Sequence, residues 1–287
     1  MSGMPRSGST WLTYILNTAT EISHYFHEPF NPRFVPSSRS FYRKFIKADD
    51  EAEDNKKFCD SLLSGENIES QNPVRFSKQK RQTIDPLETI LIKDVHASMM
   101  LEWFEANYNA KIITITRNPL NLAASWFKVW VNSMPNDRQE ILLEKPIQNI
   151  LKQQNLMDKY YRPYEDVIKE ARGFWEQISV FWGIVYKLEL EQAKLHNRIV
   201  IRHEDICQRP EGEFKELFNN LDLTWTEKTD KTLNETISSH SGNPYKPYRN
   251  TSNEVDKWKK SLEDWQVKKI LKFTQPFGID LYKDLYS

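Results

Sequence analysis

The chain has 287 residues, 39% of them hydrophobic with 9 Trp and 15 Phe, enough apolar mass to fill one sizeable core. Its 40 basic residues balance 40 acidic ones, which excludes a global field drawing it to nucleic acid or an anionic membrane, so any anion site is local. Two cysteines, Cys59 and Cys207, argue against a disulfide framework or a cysteine-based zinc cluster and fit a reducing, cytoplasmic compartment.

In chain order, Gly3 to Thr10 reads G-M-P-R-S-G-S-T. Leu12, Ile15, Leu16 and Ala19 carry the i, i+3, i+4, i+7 stripe of a helix over 10–19 that opens inside this loop. Residues 28–87 are polar, with Pro29, Pro32, Pro36, Pro73 and Pro86, and predict an insertion or lid region with helices around 39–47 and 53–64. ETILIKD at 88–94, KIITITR at 111–117 and RIVIRH at 198–203 are short apolar runs flanked by helical patterns, which predicts buried parallel strands. Helical stretches around 119–132, 139–162 and 172–197 separate them. This alternation predicts a single α/β domain over 1–287, a three-layer, doubly wound, mainly parallel sheet of the P-loop nucleotide-binding type with helical insertions. A phosphate loop normally follows a buried strand, and only Met1 to Met4 precede this one. Either the first strand is short or the start is trimmed, and a trimmed start would take any membrane anchor with it. The chain as it stands has no run of about 18 apolar residues and no signal-peptide pattern.

The loop has the glycine spacing and final Thr of a Walker A motif, with Ser9 where the lysine belongs. Without that lysine, the β and γ phosphates of a triphosphate lose their usual counter-charge. Main-chain N–H groups feeding a helix N-terminus still suit a compact tetrahedral anion, and Arg6 adds a forked donor for phosphate or sulfate oxygens. The plainer alternative is a Gly/Ser turn with Ser7 or Ser9 as an N-cap. Further on, Arg117 ends a strand, Pro119 starts a helix, and Ser125 lies two turns along it, so two donors can converge on one oxyanion.

The segment PRSGSTWL resembles the 5'-phosphosulfate loop of the sulfotransferases that use 3'-phosphoadenosine 5'-phosphosulfate (PAPS), particularly their carbohydrate and bacterial branches. The resemblance implies that Arg6, Ser7, Gly8, Ser9, Thr10 and Trp11 surround the phosphosulfate. TRNPLNLAASW resembles the 3'-phosphate motif of the same family, which implies that Arg117 and Ser125 hold that phosphate. IVIRHEDI at 199–206 is similar to a family strand ending in Tyr-Glu-Asp, with His203 in place of the tyrosine. Arg249 with Lys257 and Trp258 resembles the loop that closes over the nucleotide, the arginine reaching the 3'-phosphate. By resemblance, the donor is PAPS, the product 3',5'-diphosphoadenosine (PAP), no metal is needed, and a small molecule or glycan supplies the acceptor hydroxyl or amine.

In-line attack at sulfur needs alignment, charge stabilisation and a base for the acceptor's proton. Glu28 in HYFHEPF is one candidate, since some family members carry a catalytic glutamate shortly after the loop helix. His96 is the other; it follows a strand, one residue later than the lysine-any-histidine spacing of the cytosolic branch. His24 and His27 flank Glu28 as ordinary loop histidines or orienting groups. Arg75, Lys78, Lys80 and Arg81 could attract an anionic glycan but read as a solvated basic face, and Trp126, Trp130, Trp175 and Trp182 could stack on sugars or aromatics but read mostly as core. Sequons at Asn234 and Asn250 carry little weight. Two other classes stay open: a P-loop kinase or NTPase, with ILIKD ending in a Walker B-like Asp94, and a non-catalytic adenine-nucleotide binder.

Overall fold

The computed structural model describes residues 1–65, 84–85, 87–132, 134–135, 138–139, 142–238, 251 and 254–286. Arg249, the basic run Arg75, Lys78, Lys80 and Arg81, Pro73, Pro86 and the sequon residue Asn250 lie outside the described residues.

The strands are β1 (Ser2–Gly3), β2 (Ile22–His27), β3 (Thr89–Lys93), β4 (Ile113–Thr116) and β5 (Ile199–Arg202). The principal helices are α1 (Ser9–Leu16), α2 (Glu53–Leu63), α3 (Leu101–Tyr108), α4 (Pro119–Trp126), α5 (Glu144–Leu151), α6 (Glu165–Glu170), α7 (Gly173–His196), α8 (His203–Gln208), α9 (Pro210–Asn220), α10 (Glu227–Ser238) and α11 (Asp264–Thr274). Helices thus mix with sheets, one of them parallel, in an α/β arrangement. Among the described residues the strands form a three-stranded sheet, order β1-β4-β5, and a two-stranded sheet of β2 and β3. The chain divides into two compact units, each assembled from separate stretches.

The first unit takes residues 1–2, 8–113 and 209–250. Here β2 and β3 run parallel, with Tyr25 opposite Leu91, Phe26 opposite Ile92 and His27 opposite Lys93, and α1 packs beside β3. α1 buries Leu12, Ile15 and Leu16 of the expected stripe, together with Trp11, and the helix ends before Ala19, which is buried beyond it. α10 buttresses it through hydrogen bonds from Trp11 Nε1 to Thr236 Oγ1 (3.0 Å) and from Thr18 Oγ1 to Thr229 Oγ1 (2.8 Å). Phe30, Val35, Phe41, Ile46, Phe58 and Cys59 share a core with Ala97, Met100 and Trp103.

The second unit takes residues 3–7, 114–208 and 251–287. Its axis is α7, buried on all sides over Gln177–Tyr186, as expected of a helix whose apolar residues do not confine themselves to one face. Trp182 Nε1 donates to Arg117 O (2.8 Å) and Tyr186 Oη to Ile115 O (3.2 Å), so α7 holds the carbonyls at the end of β4. Gly183 faces Phe277, where any side chain would enter the ring. Glu204, at the start of α8, accepts from Asn118 N (2.9 Å) and from Tyr282 Oη (3.1 Å), pinning the turn between β4 and α4.

Two expected helices differ, and one strand was not expected. No helix spans 39–47: a 3-10 turn covers Pro36–Ser40, and Arg43 with φ 54 breaks right-handed winding while Phe41 and Ile46 turn into the core. The helix expected over 139–162 is interrupted at Gln153 (φ -87, ψ 87) and ends in a π-turn over Met157–Tyr161. β2 had no counterpart in the expected strands, because His24 and His27 interrupt its apolar pattern. Both are buried and satisfied, His24 Nε2 by Glu88 Oε2 (2.9 Å) and His27 Nδ1 by the Tyr25 hydroxyl (2.8 Å).

Candidate active site

In the second unit the loop residues 3–7 leave β1 and turn back, with Ser7 N donating to Met4 O (3.1 Å). Gly3 is obligatory here: its φ is 142, and a Cβ would strike the carbonyl oxygen of Ile115. The loop's outer side is fixed by Trp126 Nε1, which donates to Pro5 O (2.8 Å). Arg6 sits at φ 73, a conformation a non-glycine residue holds only when its surroundings impose it. Two contacts do so. Arg6 Nε donates to Ser125 Oγ (3.1 Å), and Arg117 Nη1 donates to Arg6 O (2.8 Å). Arg6 of the loop therefore meets Arg117 and Ser125, the pair singled out from the second motif.

Arg117 is buried, and its Nη2 donates to Glu254 Oε2 (3.2 Å). Lys257 Nζ donates to the other oxygen, Glu254 Oε1 (2.6 Å). The stretch carrying Glu254 is held to α4 by Asn121, whose Nδ2 donates to Val255 O (2.6 Å) and whose Oδ1 accepts from Trp258 N (3.0 Å). Trp258 thus enters by its backbone. Ser7 Oγ and Arg117 Nε are among the buried polar atoms of this unit that have no hydrogen-bond partner among the described residues. Orphans of this kind are costly unless a ligand rich in acceptor oxygens satisfies them, which suits a phosphate or sulfate.

The chain enters the first unit at Gly8, whose left-handed φ of 96 places it as the N-cap of α1, with Trp11 N donating to Gly8 O (3.0 Å). Ser9 and Thr10 form the first turn, where amides have no intrahelical carbonyl to bond. Their carbonyls accept from Thr13 Oγ1. Trp11 is in the core, edge-on to Phe214 at 5.4 Å.

Also in the first unit, the C-terminal ends of β2 and β3 carry a cluster of ionisable groups. Glu28 follows β2 at φ 53, and its N–H continues the ladder to Lys93 O (2.7 Å). Its carboxylate pairs with Lys93 Nζ through Oε1 and accepts from Asn31 Nδ2 through Oε2 (2.8 Å). His96 Nε2 lies 3.7 Å from Oε2 and His27 Nε2 3.8 Å from Oε1. Burial pushes the Glu28 carboxyl up, but the Lys93 ammonium and the imidazoles of His96 and His27 outweigh it and hold the group well below the usual range. The His96 ring lies tilted against Tyr42 at 5.1 Å, and its buried Nδ1 has no hydrogen-bond partner among the described residues. The two candidate bases are therefore neighbours.

Asp94, the Walker B-like residue, is spent on main-chain donors. Oδ2 accepts from Phe30 N (2.7 Å) and Oδ1 from His96 N (2.7 Å), so it shapes the cluster's backbone. Burial raises its pKa. His203 is buried beside Cys207, Sγ lying 3.7 Å from Nδ1.

Lys93, Glu254 and Asn121 were missed in the sequence. A lysine at the end of an apolar strand followed by Asp was a legible signal for the first. Glu254 and Asn121 carry no local signal for the site, since Arg117, which Glu254 binds, and Val255 and Trp258, which Asn121 binds, lie more than a hundred residues from them.

A family model described as Sulfotransferase domain matches residues 1–283. Comparison with curated proteins gave no match, nor did comparison with solved structures.

Proposed function

The chain belongs to the sulfotransferase domain family, and from that premise we propose that it transfers a sulfuryl group from PAPS to an acceptor hydroxyl or amine, releasing PAP. The meeting of Arg6, Ser125 and Arg117, with Ser7 Oγ and Arg117 Nε buried and without a hydrogen-bond partner among the described residues, is the observation that carries the reading. On this reading the whole chain, 1–287, is one sulfotransferase domain of the three-layer, doubly wound type, with 28–87 an insertion or lid region.

Arg6, Ser7, Gly8, Ser9, Thr10 and Trp11 belong to the 5'-phosphosulfate loop, and Arg117 and Ser125 to the 3'-phosphate site, with Arg249, Lys257 and Trp258 in the closing loop. Charge builds on the bridging oxygen as the sulfur–oxygen bond breaks, and amides and a guanidinium aimed there stabilise it without reorganisation. Glu28 and His96 form the base pair that takes the acceptor's proton. Lys93 holds Glu28 ionised, and an ionised carboxylate beside an imidazole can receive a proton directly or orient the ring that does. A metal has no part in this scheme.

The test is transfer of radiolabelled sulfate from PAPS to a panel of sugars, phenols and amines. Glu28→Gln and His96→Asn are each expected to keep PAP affinity while losing turnover by about a hundredfold, the usual share of general base catalysis. Full turnover in both variants removes the base assignment. Absence of transfer to every acceptor, with PAP still bound, favours a non-catalytic binder.

A further inference from the structure

Glu254 places one carboxylate across two cations, Oε2 on Arg117 and Oε1 on Lys257. Both cations belong to the proposed nucleotide site, and the side chains of Arg117 and Glu254 are each only 7% exposed. A buried ion pair is retained only where each charge is compensated, so a second anion can reach Arg117 fully only by displacing the first. The carboxylate offers two acceptor oxygens where a phosphate would offer three. Its stretch is not covalently locked to α4: Asn121 holds it through Val255 O and Trp258 N, two hydrogen bonds that can part together.

We propose that Glu254 is an internal surrogate for the 3'-phosphate, keeping Arg117 and Lys257 neutralised in the empty protein and giving way when a 3'-phosphorylated nucleotide arrives. The inference rests on the nucleotide reading of the site and adds a competitor to it. Displacement follows from charge: a 3'-phosphate monoester carries nearly two negative charges at neutral pH against one for the carboxylate. A nucleotide with a bare 3'-hydroxyl has nothing to exchange for Glu254 and leaves the pair closed. After transfer, the returning carboxylate helps expel PAP, so the device lowers affinity and speeds release.

Calorimetry with PAP and with 5'-AMP on the wild type and on Glu254→Gln tests this. The glutamine keeps the size and one acceptor oxygen while removing the charge. PAP is expected to bind the variant about tenfold tighter, with 5'-AMP changed by less than about twofold. PAP bound by the wild type, but no tighter by the folded variant, overturns the proposal and shows Glu254 to be a support for Arg117. Failure of the wild type to bind PAP overturns the nucleotide reading, and the proposal with it. Hydrogen exchange on the wild type supplies an arm free of mutation. Saturating PAP is expected to reduce protection at the Trp258 amide, and unchanged or increased protection there contradicts displacement.

Discussion

Lys93 is buried and Glu28 only 13% exposed, and each is the main charge compensation of the other. Removing one member of such a pair strands the second, so Glu28→Gln is expected to lower stability by on the order of 3 kcal/mol in urea unfolding at pH 7. Adding Lys93→Met should recover part of that loss. The Glu28 carboxyl lies well below its ordinary 4.5 in the folded protein, so the pair's contribution is complete above that value. It declines as pH falls toward the folded-state value, because the unfolded chain binds the proton first. The stability gap between wild type and Glu28→Gln should therefore narrow below pH 4.5; a constant gap down to pH 3 would show that the carboxylate's charge is not what stabilises. At this scale local motifs singled out Arg6, Arg117 and Ser125, and the structure brings the three together. The sequence was silent on Glu254, whose meaning comes from an arginine in another motif.

The strands at 88–94, 111–117 and 198–203 were legible because β-branched and aliphatic runs have few other buried uses, and the long helix at 172–197 because of its length. The failures share a cause: tertiary contacts overrode local pattern. Buried histidines disguised β2, and a left-handed Arg43 cut the helix expected at 39–47. Close element packing yields its own prediction. Gly183→Ala on α7 would drive a methyl into the Phe277 ring, so a loss of about 1–3 kcal/mol is expected in thermal unfolding. Combining it with Phe277→Leu should restore part of the loss. Equal stability of Gly183→Ala and wild type would mean that the C-terminal segment yields without cost.

Each compact unit draws on three separated stretches of chain, so neither corresponds to a continuous fragment. Truncation after residue 208 removes α10, which buttresses Trp11 and Thr18, and also α11 and Tyr282, which serve the other unit. The fragment is expected to lose cooperative unfolding by circular dichroism; a sharp transition would show that the early stretches suffice. With 40 charges of each sign, anion recognition must come from placement, not net field. That claim is tested most directly by calorimetric titration of the intact chain with PAP and, separately, with ATP and magnesium. Saturable binding of PAP, weakened about tenfold or more in a folded Arg6→Ala variant, with far weaker binding of ATP, is the predicted result. Preference for ATP with magnesium, or PAP affinity indifferent to Arg6, would contradict it.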